Sequence, residues 1–258
     1  MNIVGIIPAR MASSRFPGKP LAKILGIPMI GHVYHRCKIS SILEEVYVAT
    51  CDEEIAKYIK SIDGEVIMTS ETHERASDRT AEAMLKIEEL TGKAIDLVVM
   101  IQGDEPMVTP GIISESIAPF EDPAVNVVNL MAKIDNIEEF EDPNEPKVVV
   151  NQKSDAIYFS REPIPSHKKG MEIVPMLKQV CIIPFRRDYL LQFNQMPETD
   201  LERIESIDMN RIIEHGGKVR MVQIDEQVYS VDTVSDLKKV ENLMRKDLLM
   251  NDYLTVPV

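Results

Sequence analysis

Cysteine is scarce in this 258-residue sequence. Cys37, Cys51 and Cys181 are odd in number and widely spaced, with no CxxC pair, which excludes a disulfide framework and a zinc or redox centre of that type. They are read as reduced, buried thiols. No run of about 18 apolar residues occurs, the length a membrane-spanning helix needs. The chain opens on a strand-like Ile3-Val4-Gly5-Ile6-Ile7 instead of a charged region followed by a long apolar stretch. The expectation is a cytoplasmic protein with no membrane partner. Basic charge is also in short supply: 29 Lys and Arg stand against 42 Asp and Glu, giving a net charge of −13 and a pI of about 4.9. Nucleic acid is therefore not the expected partner, since its binding needs a basic face that displaces counterions from phosphates. Neither GxGxxG nor GxxxxGK[ST] follows a strand, which disfavours a Rossmann oxidoreductase and a P-loop NTPase. Internal repeats and low-complexity segments are absent as well.

The 44% hydrophobic content suffices for a full core, and the length suits one large α/β domain spanning 1–258. Short apolar runs alternate with segments of helical period: Ile3–Ile7, then 29–40; Val46–Ala49, then 52–62; Val66–Met68, then 78–90; Leu97–Ile101, then 111–119. Continuous apolar strands between amphipathic helices predict parallel strands covered on both faces by βαβ crossovers. The predicted fold class is α/β, with a doubly wound, mostly parallel sheet. Past residue 125 the pattern changes. Strands are expected at Val125–Ala132, Val148–Val150, Ala156–Phe159, 180–185 and 218–224, and helices at 186–194, 201–215 and 235–249. The irregular region at approximately 130–180 reads as an inserted acceptor-binding and dimerisation region, and the last residues read as a tail.

Ligands bind such sheets beyond the carboxyl ends of the strands, and three segments lie there. The first is Pro8-Ala9-Arg10-Met11-Ala12-Ser13-Ser14-Arg15-Phe16-Pro17-Gly18-Lys19-Pro20-Leu21. It is long for a βα loop and combines three cations with small residues that let backbone N–H groups approach an anion. Residues 1–43 hold six cations (Arg10, Arg15, Lys19, Lys23, Arg36, Lys38) and no acid, leaving 23 basic against 42 acidic residues beyond. This concentration suits a compact anion such as a triphosphate; a solvated basic loop is the alternative. The second segment, Gln102-Gly103-Asp104-Glu105-Pro106, puts a carboxylate at the end of a buried strand. There Asp104 can hold Mg²⁺, or it can be a turn residue or helix cap. The third, Val231-Asp232-Thr233, can bring a second carboxylate to the same metal or cap the helix that follows.

These segments, together with Gly26-Ile-Pro-Met-Ile30 and Tyr158-Phe-Ser-Arg161, closely resemble the 3-deoxy-manno-octulosonate cytidylyltransferase (CMP-Kdo synthetase) family, in order from Ile3 to about Leu243. The resemblance implies a nucleotidyltransferase fold and a Mg²⁺-dependent transfer of CMP from CTP to a small acidic acceptor, a Kdo-like sugar acid, by a homodimer. By the same resemblance, Pro8, Ala9, Arg10, Arg15 and Lys19 would surround the nucleotide, with Arg15 and Lys19 on the departing pyrophosphate. Asp104 and Asp232 would be the metal ligands, and Gln102 and Arg161 would face the acceptor. His73-Glu74-Arg75-Ala76-Ser77-Asp78-Arg79 would read the base through His73, Arg75, Ser77 and Asp78. The family's pattern there is approximately His-x-Ser-Gly-Thr-Glu-Arg, so Ala76 replaces a Gly. Ser77 also has a purely local reading as a helix cap.

On the acceptor side the departures are larger. Gln179-Val180-Cys181-Ile182-Ile183 stands where the family has His-Leu-Gly-Ile-Tyr, and Asp208-Met209 where it has Glu-Gln. Gln179, Ile183, Asp208 and Met209 are thus candidate acceptor-binding positions with altered chemistry. Two hydrogen-bonding groups lost from a polyhydroxylated site would each cost on the order of 1 kcal/mol. The expectation drawn is a modified or less hydroxylated acid as best acceptor, with a non-catalytic nucleotide-binding regulator as the reading from another class.

Overall fold

The seven residues of Ile3–Ala9 form a strand, β1, in which every side chain is buried, as a central strand covered on both faces requires. The structure is a computed structural model that describes residues 1–12, 16–166 and 174–254. In chain order, β1 is followed by a small antiparallel hairpin of β2 (Lys23–Ile24) and β3 (Ile27–Pro28). Then come α1 (Met29–Lys38), β4 (Glu45–Thr50), α2 (Glu53–Ser61), β5 (Glu65–Met68), α3 (Ala76–Thr91), β6 (Leu97–Ile101) and α4 (Pro110–Ile117). β1 pairs in parallel with both β4 and β6, and β4 pairs in parallel with β5. The resulting order β6-β1-β4-β5 reverses between β1 and β6. That reversal opens the crevice at which doubly wound sheets bind ligands, and the first loop and Gln102–Pro106 both leave the sheet beside it.

The chain divides into two compact units: residues 1–114 with 228–258, and residues 115–227. The second unit contains β7 (Val128–Lys133), α5 (Ile137–Glu141), β8 (Lys147–Val150), β9 (Ala156–Ser160), β10 (Leu177–Val180), β11 (Ile182–Arg186), α6 (Arg187–Gln195), α7 (Asp200–Glu205), α8 (Met209–Glu214) and β12 (Arg220–Ile224). Its five-stranded sheet has the order β12-β7-β10-β8-β9. Only β12 and β7 run parallel, whereas β7-β10, β10-β8 and β8-β9 are antiparallel. The parallel pattern thus belongs to the first unit. The single helix expected over 201–215 is two, because Ser206 adopts a left-handed φ of 54° and ends α7. Likewise the strand expected over 180–185 is divided at Cys181 into β10 and β11.

On returning to the first unit the chain forms α9 (Val234–Met244) and a 3₁₀ turn at Leu248–Asp252. Of the expected tail, Met250 and Tyr253 are docked, and residues 255–258 lie outside the described residues. Tyr253 is buried in a cluster with Ile24, Met29, Val231, Val240, Met244 and Met250. Its hydroxyl hydrogen-bonds with His32 Nδ1 at 2.9 Å and accepts from Arg36 Nε at 3.2 Å. Arg36 is fully buried and also pairs with Asp247, while Lys38 pairs with Glu45. Two of the six cations counted in residues 1–43 therefore stabilise α1 and its neighbours instead of joining the first loop. Among the cysteines, Cys37 is fully buried and its thiol pKa is pushed up by desolvation, but Cys51 and Cys181 are only half-buried, and all three are free. No helix among the described residues is long and apolar enough to cross a membrane.

In the second unit the Arg211–Glu202 ion pair joins α8 to α7 with both side chains almost entirely buried, at 5% and 0% exposure. Arg211 also lies over the ring of Phe193, 4.7 Å from its centroid. A buried pair contributes little net stability, but removing one partner leaves a charge without water or counter-ion. Glu202→Ala is expected to destabilise the second unit by about 3–5 kcal/mol, measured as a lowered urea midpoint by far-ultraviolet circular dichroism.

Candidate active site

The first loop is folded against the end of the sheet by its own backbone. Met11 N–H donates to the Asp52 carboxylate at 2.8 Å, and Gly18 N–H donates to the Met11 carbonyl at 3.3 Å. Gly18 has a φ of 72°, a left-handed conformation that a residue with a Cβ resists, and it starts the 3₁₀ turn Lys19–Leu21 with Pro20 buried. Pro8 and Ala9 are buried at the end of β1, and Arg10 is exposed just beyond it. Arg15 lies outside the described residues.

Across the strand-order reversal, Gln102–Pro106 turns tightly, with Glu105 N–H donating to the Gln102 carbonyl at 3.1 Å. A Cβ at Gly103 would come within 3.0 Å of Ile30 Cδ1, 3.4 Å of the Pro8 carbonyl oxygen and 3.5 Å of Ala9 Cβ. Its absence lets this turn approach the end of β1 and brings Asp104 toward the first loop. The third segment arrives from the far end of the sequence. Val231 N–H donates to the Asp104 carbonyl at 3.0 Å, so the two carboxylate-bearing segments are bonded through their backbones. Thr233, not Asp232, is the N-cap of α9. It forms a capping box with Asp236, whose carboxylate also accepts from the Asp232 N–H at 3.1 Å. The alternative role foreseen for Asp232, capping this helix, is thus filled by its neighbour.

Lys19 Nζ donates to Asp104 Oδ2 at 2.6 Å and to Asp232 Oδ1 at 3.2 Å. The three side chains are 13%, 20% and 19% exposed, which rules out a freely solvated lysine. Burial pulls the Lys19 pKa down, but the two carboxylates outweigh it and hold the ammonium above its ordinary value. Two short acidic arms, fixed by backbone hydrogen bonds, thus converge on one cation. Mg²⁺ takes one or two protein carboxylates and completes its shell with water and phosphate oxygens, and this donor set fits it.

The loop after β5 is built around Glu82 of α3. Its carboxylate accepts from the Ser70 N–H at 2.9 Å, bonds His73 Nε2 and pairs with Lys86 at 2.7 Å. Burial raises the Glu82 pKa, but Lys86, the Ser70 amide and His73 together bring it down to about 2. Arg75 is the N-cap residue of α3, and Asp78 sits in its first turn, favourable for the helix dipole. Ser77 lies within the helix and is fully buried, so it is not the cap. Arg79 is also buried and donates to Thr69 Oγ1.

In the second unit, Arg161 Nε donates to the Glu205 carbonyl at 2.6 Å and its Nη1 to the Pro143 carbonyl at 2.8 Å. The Glu205 carboxylate accepts from Tyr158 Oη, Ser160 Oγ and the Arg161 N–H at 2.6, 2.8 and 2.7 Å. Gln179 is 8% exposed, and its amide donates to Asn129 Oδ1 at 2.6 Å. Ile183 and Met209 are 1% and 0% exposed, so neither presents an open wall to a ligand in this structure. Asp208 precedes α8 as its N-cap residue.

Sequence reasoning missed three supports. Asp52 lies directly after β4, so the rule that located Asp104, applied to every parallel strand, would have found it. Glu82 has a local signal, the i,i+4 spacing to Lys86, whereas Glu205 acts through contacts distant in sequence.

A family model described as cytidylyltransferase matches residues 4–245. The 3-deoxy-manno-octulosonate cytidylyltransferase of Geobacter metallireducens is 41% identical over 257 residues, covering 95% of this chain and 99% of that one. The enzyme of the same name from Geobacter sulfurreducens is 40% identical over 251 residues, with coverage of 93% and 98%. A solved structure of CMP:2-keto-3-deoxy-manno-octonic acid synthetase complexed with CTP superposes with a TM-score of 0.87 at 39% identity, covering 96% of this chain and all of that one. With its α/β architecture and the Lys19, Asp104 and Asp232 cluster at the switch point of the sheet, this chain belongs to the 3-deoxy-manno-octulosonate cytidylyltransferase family of nucleotidyltransferases.

Proposed function

We propose that the protein transfers CMP from CTP to the anomeric hydroxyl of a Kdo-like sugar acid and releases pyrophosphate, with Mg²⁺ held by Asp104 and Asp232. The observation that carries this reading is the convergence of Asp104 Oδ2 and Asp232 Oδ1 on one cationic position beside the first loop. When bound there, Mg²⁺ supplies Lewis-acid stabilisation of phosphate charge and lowers the pKa of a coordinated hydroxyl. The protein's own part is positioning and charge, since attack of a hydroxyl on the α-phosphorus needs no protein nucleophile. Lys19 and Arg15 counter the negative charge that builds on the departing pyrophosphate. Arg10 adds positive charge at the exposed mouth of the loop. Pro8 and Ala9, buried at the end of β1, and Gln102 provide a rigid edge for the nucleoside, and the loop held by Glu82 carries the base-facing residues.

For the acceptor, the burial of Ile183 and Met209 and the pairing of Gln179 with Asn129 favour the Kdo-like acid over a strongly altered substrate. Side chains closed from solvent are poor candidates for a new specificity surface. The reading extends to a cytoplasmic enzyme acting in lipopolysaccharide biosynthesis. A homodimer is proposed on family membership alone.

Pyrophosphate release from CTP, Kdo and Mg²⁺ tests the reaction directly. Turnover is expected with magnesium and none with excess EDTA, and undiminished turnover in EDTA would remove the metal from the scheme. Asp104→Asn and Asp232→Asn should each lower kcat by about a hundredfold or more, the scale for loss of a transition-state electrostatic element, with an unchanged circular dichroism spectrum. Lys19→Ala should impair CTP binding or turnover far more than Lys23→Ala, because Lys23 is an exposed residue of β2 with no place in the carboxylate cluster. In calorimetry with Mg²⁺, CTP should bind more tightly than ATP or GTP; equal affinities would dissociate the His73–Arg79 segment from base reading.

A further inference from the structure

We propose that Lys19 is the resident cation of the free site: its ammonium occupies the oxygens that receive the metal, and it departs to the triphosphate when nucleotide and metal load. The inference rests on the metal reading above, but it concerns a state in which neither ligand is bound. Lys19 Nζ does not merely approach one carboxylate. It lies 2.6 Å from Asp104 Oδ2 and 3.2 Å from Asp232 Oδ1 at once, so it bridges the two groups that would hold the metal.

Two features of the surroundings make this arrangement a switch. The backbones that carry the carboxylates are held: Val231 N–H binds the Asp104 carbonyl, and Asp236 accepts from the Asp232 N–H. Each Asp has a single methylene between backbone and charge, so its carboxylate has a much shorter reach than a lysine ammonium. Lys19 by contrast carries its charge on a flexible four-carbon stem, and rotation of that stem moves the ammonium without moving the loop. Two carboxylates held together in a partly closed site repel each other unless a cation lies between them, and Lys19 meets that need while the site is free.

A divalent ion arriving alone must break both charge-assisted hydrogen bonds and leave the ammonium without an anion beside it. A triphosphate supplies several anionic oxygens as a new partner for that ammonium and frees the carboxylates. Metal and nucleotide consequently favour each other's binding, and by linkage the coupling is reciprocal. A free enzyme built in this way holds divalent ions weakly, and its metal site becomes available when the substrate that needs the metal is present.

The test measures metal binding without nucleotide, turnover or acceptor. Free Mn²⁺, standing in for Mg²⁺, is followed by electron paramagnetic resonance during titration of the full chain. Lys19→Met should bind Mn²⁺ about tenfold or more tightly than the unsubstituted protein, within the roughly 5–150-fold range of typical couplings. Lys19→Arg keeps a cation at the position and should stay close to the unsubstituted protein. Lys23→Met removes the same charge four residues away and should also change little, which separates displacement from a general change in net charge. Equal Mn²⁺ affinity in the Lys19→Met and unsubstituted proteins would overturn the inference while leaving the catalytic reading intact. So would equal tightening in Lys19→Met and Lys23→Met. Failure of every variant to bind Mn²⁺ would overturn it too, and whether the metal reading then also falls is decided separately by pyrophosphate release in EDTA.

Discussion

One backbone hydrogen bond, from Val231 N–H to the Asp104 carbonyl, joins the two distant parts of the chain on which the site depends. Asp104 follows the fourth parallel strand of the first unit, β6. Asp232 appears only after the chain has left that unit, built the 115–227 unit and returned. Without a fixed return the two carboxylates would share nothing. The cluster of Ile24, Met29, Val231, Val240, Met244, Met250 and Tyr253 supplies the apolar burial behind the hydrogen bond. Arg36, bonded to Tyr253 and Asp247, anchors the far end of the same segment to α1. The burial of an arginine in α1 and the position of an aspartate before α9 are thus parts of one arrangement.

The first unit was legible in the sequence because its strands are continuous apolar runs and its helices are amphipathic. Ile3–Ile7, Val46–Ala49, Val66–Met68 and Leu97–Ile101 all lie in observed strands. Charge counting was less faithful. It treated Arg36 and Lys38 as companions of the first loop, although helical position gives them other partners, a distinction that a count along the chain cannot make. The second unit was harder to read. Its sheet mixes one parallel with three antiparallel pairings, and local pattern does not specify which strand lies beside which. Ser206 breaks the 201–215 helix through its backbone conformation, with no Gly or Pro to announce it.

Candidate site residues divide along the same line. Lys19, Asp104 and Asp232, which the structure brings together, stood out as candidates because they lie in segments that follow strands or precede a helix and carry chemistry suited to a triphosphate and a metal. Glu205 was not found, although it accepts three hydrogen bonds from Tyr158, Ser160 and Arg161. Its partners lie more than forty residues away, and only the folded chain makes it a support. The altered residues Gln179, Ile183 and Met209 show the converse. Read as a sequence they suggest a pocket with changed polarity, but folded they are buried, and Gln179 satisfies its amide on Asn129. Loss of a polar group is costly where the lost group left an unpaired partner behind, and substitution by an apolar side chain in a closed position leaves none.

The fixed and flexible parts of the carboxylate cluster have separate physical tasks. Catalysis through charge requires groups that reorganise little while charge develops, and short aspartates on backbones held through Val231 and Asp236 suit that requirement. Binding and release of a highly charged substrate require a cation that can exchange partners, which a short, rigid side chain cannot do. A lysine stem provides that exchange, and the Gly18 turn with buried Pro20 keeps its backbone in place. The short reach of the acids is therefore what would make movement of the base informative. With the backbones of Asp104 and Asp232 held, the proposed departure of Lys19 would leave two acceptors on one side and deliver a positive charge on the other.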